Sequence, residues 1–167
     1  MERELIEKLK NKFTGNEQWC LVIGDLMLDQ YIFGEITRIS PEAPIPILKK
    51  EKEQFRMGGA ANVAANLSGL GIKTTLAGLI GKDINGERLT QLIKEKLISS
   101  RGLMKSNNPT TSKTRIISGQ QQIIRIDEEK NSLPLDKKNI KKIINLVKKK
   151  PSIIIVSDYA KGLISLE

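Results

Sequence analysis

Residues 19–23 (WCLVI) form an unbroken apolar run that stops at Gly24-Asp25. The run does not alternate and is too short for a stable helix, so it suits a strand covered on both faces. A second run, residues 152–156 (SIIIV), ends in the same way at Ser157-Asp158. Strands that hide both faces belong to parallel sheets flanked by helices, and this constrains the fold more than any other feature. The intervening segments fit. Residues 60–70 read as a helix following Gly58-Gly59, with Gly71 as its C-terminal cap. Residues 74–80 read as a strand, and residues 85–97 as a helix with Leu89, Leu92, Ile93 and Lys96 on one face. A lysine-rich helix begins near Lys137, with Ile140, Ile143, Ile144 and Val147 at i, i+3, i+4 and i+7.

Two segments do not fit a plain β-α alternation. Residues 26–55 carry Pro41, Pro44 and Pro46, which exclude a continuous helix, and extended stretches on either side. Residues 111–129 read as two strands around Ser118-Gly119. Together they predict a small sheet standing off the main body. The order β, excursion, α, β, α, hairpin, α, β argues for α/β layers around a mostly parallel sheet, and 167 residues suit one domain. Residues 1–13 read as a short amphipathic helix carrying Leu5, Ile6 and Leu9. They lack the apolar centre of a signal peptide, and no apolar run is long enough to span a bilayer, so a cytoplasmic location is expected.

Composition removes whole classes of chemistry. There is no histidine and Cys20 is the only cysteine, which excludes Ser-His-Asp and Cys-His catalysis, ordinary zinc sites and an intrachain disulfide. The net charge of +9 raises nucleic acid as a partner. Seven lysines of that excess, however, lie between Lys137 and Lys150 on the polar face of one amphipathic helix. No aromatic residues are interleaved with them as a stacking platform, so a solvated face is the better reading. Nucleotide fingerprints are missing as well: neither G-x-G-x-x-G nor G-x-x-x-x-G-K-[ST] occurs.

What remains are polar clusters at strand ends, where parallel α/β sheets place their ligands. These are Asp25 with Asp29, Asp83, and Asp158 with Lys161. Beside them Gly58, Gly59 and Asn62 open a helix, whose first amides point outward. Carboxylates, amides and an asparagine suit a ligand rich in hydroxyls. Each member also has a plainer reading. Asp25 is equally a turn cap, Asp83 is better read as a helix cap, and Lys161 as a surface lysine. The glycine pair admits either a close ligand or close packing of a small-faced helix on the sheet.

The stretch GGAANVAANLSGLG, followed by Gly81, resembles the first signature of the ribokinase-like (pfkB) carbohydrate kinases. The stretches VIGDLMLDQYIFGEITRISPEAPIPI, TTSKTRIISGQQQIIRID and VSDYAKG, in the family's order, are most similar to its heptose 7-phosphate kinase branch, which belongs to lipopolysaccharide core biosynthesis. The resemblance implies a ribokinase-like three-layer α/β sandwich with a β lid, its segments at about 30–56 and 110–128. It places Gly58, Gly59 and Asn62 against the sugar, Asp25 and Asp29 on its hydroxyls, and Arg38 and Lys161 near its existing phosphate. It implies ATP and Mg²⁺ as cofactors, a sugar phosphate as substrate and a homodimer through the lid. No membrane partner is implied.

The family's second signature, a glycine-rich D-T-x-G-A-G-D loop carrying the base and anion hole, has no counterpart in residues 1–167. The expectation is therefore the sugar-binding half of one kinase domain, truncated before the C-terminal ATP-binding half and inactive alone, with a separate chain as one possible source of the rest. Two rivals stand beside it: a non-catalytic sugar-phosphate-binding fragment, and a basic nucleic-acid-binding module.

Overall fold

The structure is a computed structural model that describes residues 4, 6, 7, 18–130 and 135–164. The expected N-terminal helix falls almost wholly outside them. The first apolar run forms β1 (Cys20–Gly24), the second forms β8 (Ile153–Ser157), and the two pair directly in parallel. On its other side β1 pairs in parallel with β4 (Thr74–Gly81), which pairs in parallel with β5 (Ser99–Ser106). The sheet order is β5-β4-β1-β8.

Period-two alternation divides β1 between two cores. Cys20 and Val22 point into a cluster with Leu76 and Ile80 of β4, backed by α1 (Ala60–Gly69) and α2 (Ile84–Glu95). Leu21 and Ile23 point the other way, toward Ala77, Met104 and Leu146 of α3 (Lys137–Val147). This produces the three layers that a doubly buried strand requires. On α1, Ala60, Ala61 and Ala64 have no exposed surface. Their small side chains let the helix lie close to the sheet. The helix ends in a Schellman motif, with Ile72 N–H donating to Leu67 O, Gly71 N–H to Ser68 O, and Gly71 at φ +81°.

The second sheet has the order β3-β2-β6-β7. Its long hairpin joins β2 (Leu26–Ile39) to β3 (Pro46–Gly59), and the shorter one joins β6 (Ser112–Ser118) to β7 (Gln121–Glu128). β2 and β6 pair in parallel, so the two sequence-distant segments become one sheet. The excursion is longer at its base than the expected 30–56. Leu26, Leu28 and Met57 belong to the main core, so the lid grows out of the sandwich without a linker.

Four details differ from what the sequence leads one to expect. β8 is not covered on both faces: among the described residues it is the edge of the sheet, and Ile153, Ile154 and Val156 are exposed. β5 was not expected: SSRGLMKS shows no apolar pattern. It is a strand because Gly102 can lie against β4, where a Cβ would sit 2.5 Å from Leu76 O. α2 stops at Glu95 rather than at residue 97: Lys96 is its exposed C-cap instead of part of the packed face, and Leu97 is in a left-handed conformation and 91% exposed. The expected apolar face of α3 is largely unused: Ile140, Ile144 and Val147 are exposed and Ile143 is only partly buried, while the helix packs through Leu146, which is not one of the four.

Candidate functional site

The end of β1 and the end of β3 meet at Asp25 and Gly58-Gly59. The Ala60 N–H donates to Asp25 O at 3.0 Å, pinning the start of α1 to the strand end. Gly59 has φ 56° and ψ −137°, a region closed to other residues, and a Cβ there would lie 2.4 Å from Asp25 O. A Cβ on Gly58 would lie 2.6 Å from Asp29 Oδ2. The glycine pair is therefore demanded by the chain's own backbone and by Asp29. The close approach also lays the Asp29 carboxylate against the end of β3. No side chain caps the N-terminus of α1, and Asn62 is exposed in its first turn.

Asp25 is buried, and its carboxylate serves the turn-cap reading. Oδ2 accepts from the Tyr159 N–H at 2.8 Å and the Lys161 N–H at 3.1 Å, and Oδ1 from the Leu163 N–H at 3.4 Å. It thereby holds the loop after β8 against the strand end. From that loop Lys161 Nζ reaches Glu129 Oε2 at 2.7 Å, just past β7, which ties the main body to the second sheet. The Lys161 ammonium is the main cause holding the Glu129 carboxyl below its ordinary range, outweighing desolvation. Asp25, Leu26, Gly81, Ser106, Thr111 and Lys161 line a cavity of about 20 Å³, room for one water.

Asp29 stands at the base of the lid, half-buried. Arg115 Nη1 donates to Asp29 Oδ1 at 2.6 Å. That hydrogen bond is the leading cause raising the Arg115 guanidinium above its ordinary value, against the opposing effect of burial. Pairing puts Asp29 opposite Arg56 on β3 and Lys113 on β6, and Tyr31 opposite Arg115, so these side chains share one face. The Arg115 and Arg56 guanidiniums both lie over the Tyr31 ring, 5.2 and 4.8 Å from its centroid. The sequence reading missed both arginines. Nothing in SKTRIIS or EQFRMGG marks them until the register of three strands is known.

The remaining candidates separate clearly. Arg38 is nine residues beyond Asp29 on the same strand, on the order of 30 Å away at strand rise, and exposed, so within one chain it does not join the cluster. Asp83 is the N-cap of α2: Oδ1 accepts from the Gly86 N–H at 2.8 Å and the Thr110 hydroxyl at 2.7 Å, and Oδ2 from the Thr110 N–H at 2.7 Å. Asp158 accepts from the Ala160 N–H within its own turn. Asp25, Asp29, Gly58, Gly59, Asn62 and Lys161 are thus gathered at one end of the sheet.

The family pattern described as pfkB family carbohydrate kinase matches residues 18–161. The chain belongs to that family. The bifunctional protein HldE of Methylobacillus flagellatus is 42% identical over 169 residues, covering 99% of this chain and 35% of that protein. The D-beta-D-heptose 7-phosphate kinase of Bordetella bronchiseptica is 40% identical over 144 residues, covering 86% of this chain and 46% of that protein. Among solved structures, Arabidopsis thaliana ribokinase, complexed with ribose and ATP, superposes with a TM-score of 0.60 at 16% identity over 83% of this chain and 45% of that one. That likeness establishes the ribokinase-like fold. The chain spans between a third and a half of the length of these curated relatives.

Within this pfkB chain, a metal has no evident seat. Among the described residues no group of three or more Cys, Asp or Glu could hold an ion. Asp25 and Asp158 already accept from backbone amides, and no glycine-rich nest accompanies either. The described residues do not fit Mg²⁺. No helix among them is long and apolar enough to cross a membrane.

Proposed function

We propose that this chain forms the sugar-binding half and lid of an ATP-dependent kinase that phosphorylates D-glycero-D-manno-heptose 7-phosphate at its C1 hydroxyl, in ADP-heptose and lipopolysaccharide core biosynthesis. One observation carries the reading. In a pfkB chain resembling heptose 7-phosphate kinases throughout, a carboxylate (Asp29) lies against a glycine at the uncapped N-terminus of a helix. Asp29 Oδ1 is engaged by Arg115, which leaves Oδ2, on the Gly58 side, to accept from sugar hydroxyls. Asn62 can donate to and accept from the same hydroxyls, and the first amides of α1 donate to them. Asp25 contributes indirectly by holding the loop that carries Lys161.

ATP, bound by a complete kinase, would supply the transferred phosphoryl group. This chain's residues bind and orient the acceptor: Asp29 is committed to Arg115 and to sugar hydroxyls, while Asp25 and Asp158 are taken up by backbone amides. The chain alone is accordingly inactive, because transfer depends on complete positioning and charge stabilisation. The same reading includes a cytoplasmic location and a homodimer through the lid, whose β7 exposes Ile124 and Ile126.

Calorimetric titration with heptose 7-phosphate tests the proposal. Loss of a charged hydrogen bond costs about 1.5–3 kcal/mol, so Asp29→Ala should weaken binding by roughly 10- to 150-fold. A wild-type affinity in that variant would exclude Asp29 as a sugar ligand. Sugar-dependent ADP release by the chain alone would overturn the half-site reading.

A further inference from the structure

Most cations on and around the Asp29 face of the lid are neutralised. Lys113 pairs with Asp127 at 2.9 Å and Glu129 at 3.5 Å, Arg125 pairs with Asp127 at 2.8 Å, and Lys161 with Glu129. Arg56 is different. Its side-chain hydrogen bond goes to a neutral acceptor, Gln54 Oε1, at 3.3 Å. Arg115 meets Asp29 and the Lys113 carbonyl through Nη1 alone. Both guanidiniums are held over the Tyr31 ring, which places them within about 10 Å of each other. Two positive charges and one carboxylate thus converge at the rim of the sugar site, and they surround the carboxylate assigned to the hydroxyls.

We propose that Arg56 and Arg115, mounted on Tyr31, form the subsite for the phosphate already present on the substrate, and that they set the preference for a phosphorylated over an unphosphorylated sugar. The inference rests on the sugar-site reading above and goes further by naming the residues. A guanidinium presents planar N–H groups that match phosphate oxygens in pairs, and stacking on an aromatic ring fixes the plane before the ligand arrives. Asp29 has a double role in this arrangement. It takes sugar hydroxyls on one oxygen and orients Arg115 with the other. The hydroxyl to be phosphorylated then lies toward α1 and the main sheet, with the existing phosphate toward the lid. Arg38, at the far end of β2, takes no part within the chain.

The test measures the ratio of affinities for heptose 7-phosphate and unphosphorylated heptose, by calorimetry on the 167-residue chain, with circular dichroism melts to verify folding. The wild type should favour the phosphorylated sugar at least about tenfold, the weight of one charged hydrogen bond. Arg56→Ala leaves the Asp29–Arg115 pair intact and should collapse that ratio toward one, as should Arg56→Gln. Arg115→Ala should lose the ratio and weaken both sugars, because Asp29 loses its orienting partner. Arg115→Lys keeps a charge without the planar fork and should recover only part of the ratio. An Arg56→Ala or Arg56→Gln chain that folds and keeps the wild-type ratio overturns the subsite. Equal binding of both sugars by the wild type also overturns it, while leaving the sugar site standing. Failure of the wild type to bind either sugar sinks the sugar-site reading itself.

Discussion

Gly59 combines φ 56° with a neighbouring carbonyl 2.4 Å from where a Cβ would be, so both the conformation and the space refuse a side chain. Gly59→Ala should destabilise the chain by about 1–3 kcal/mol from backbone strain alone, with the clash against Asp25 O in addition. Gly69 is the control: a Cβ there meets nothing within 4 Å, and Gly69→Ala should add about 0.5–1 kcal/mol. Urea midpoints of the two variants should move in opposite directions. Asp83 offers a second test. Desolvation, the largest single effect on its carboxyl, raises it, but the hydrogen bonds from the Thr110 hydroxyl, the Thr110 N–H and the Gly86 N–H together outweigh that and lower it overall. A depressed folded-state value means that the stabilisation is complete above the ordinary carboxylate range and fades as pH falls through the folded value. Asp83→Ala should therefore cost about 1–3 kcal/mol at pH 7. The gap from wild type should narrow in melts run below about pH 4. A gap independent of pH would mean that the ionised carboxylate is not what matters.

At the level of elements, the doubly buried strand β1, the small-faced helix and its glycine cap were legible because each rests on local periodicity or on one special residue, whereas the equally apolar run of β8 is a strand but an exposed edge. β5 was not legible, since SSRGLMKS owes its strand form to a neighbour that only the folded sheet supplies. The same limit applied to the site. Asp29 and the glycines could be read from their positions at segment ends, whereas Arg56 and Arg115 reach Asp29 only through the pairing of β2 with β3 and β6. The position of Arg38 followed from the same pairing, since a motif does not reveal that its strand runs straight away from the site. For α3 the helix itself was legible, but its expected apolar face was not the packed one: Ile140, Ile144 and Val147 are exposed, and the one buried residue, Leu146, lies outside that set. Leu146→Ala should cost about 2–4 kcal/mol. Amide exchange should accelerate across 137–147 more than across β1 or β4; uniform acceleration would mean that α3 is integral to the main cooperative unit.

On the scale of the molecule, charge and apolar surface are distributed unevenly. β8 is the edge of the main sheet among the described residues, and Ile154 and Val156 are 44% and 57% exposed. Register with Leu21 and Ile23 puts them on the α3 side, where Ile140 and Ile144 are also exposed. An unpaired, apolar edge invites pairing with another strand. Sedimentation velocity on the chain should show association that grows with concentration, and Ile154→Lys with Val156→Lys should return it toward monomer. A wild-type chain that stays monomeric across that range would refute this. The sheet order also has a consequence for how the protein is made. β1 sits between β4 and β8, and its Cys20 is in register with Ile153. A ribosome adding roughly 5–20 residues per second needs on the order of ten seconds to get from one to the other. Throughout that interval β1, whose five residues are all buried in the folded chain, has a flank open, and Asp25 lacks the three amides that later surround it. Synthesis of the stretch between β1 and β8 is thus a period of exposure, in which holding factors at the ribosome would have their greatest effect on yield.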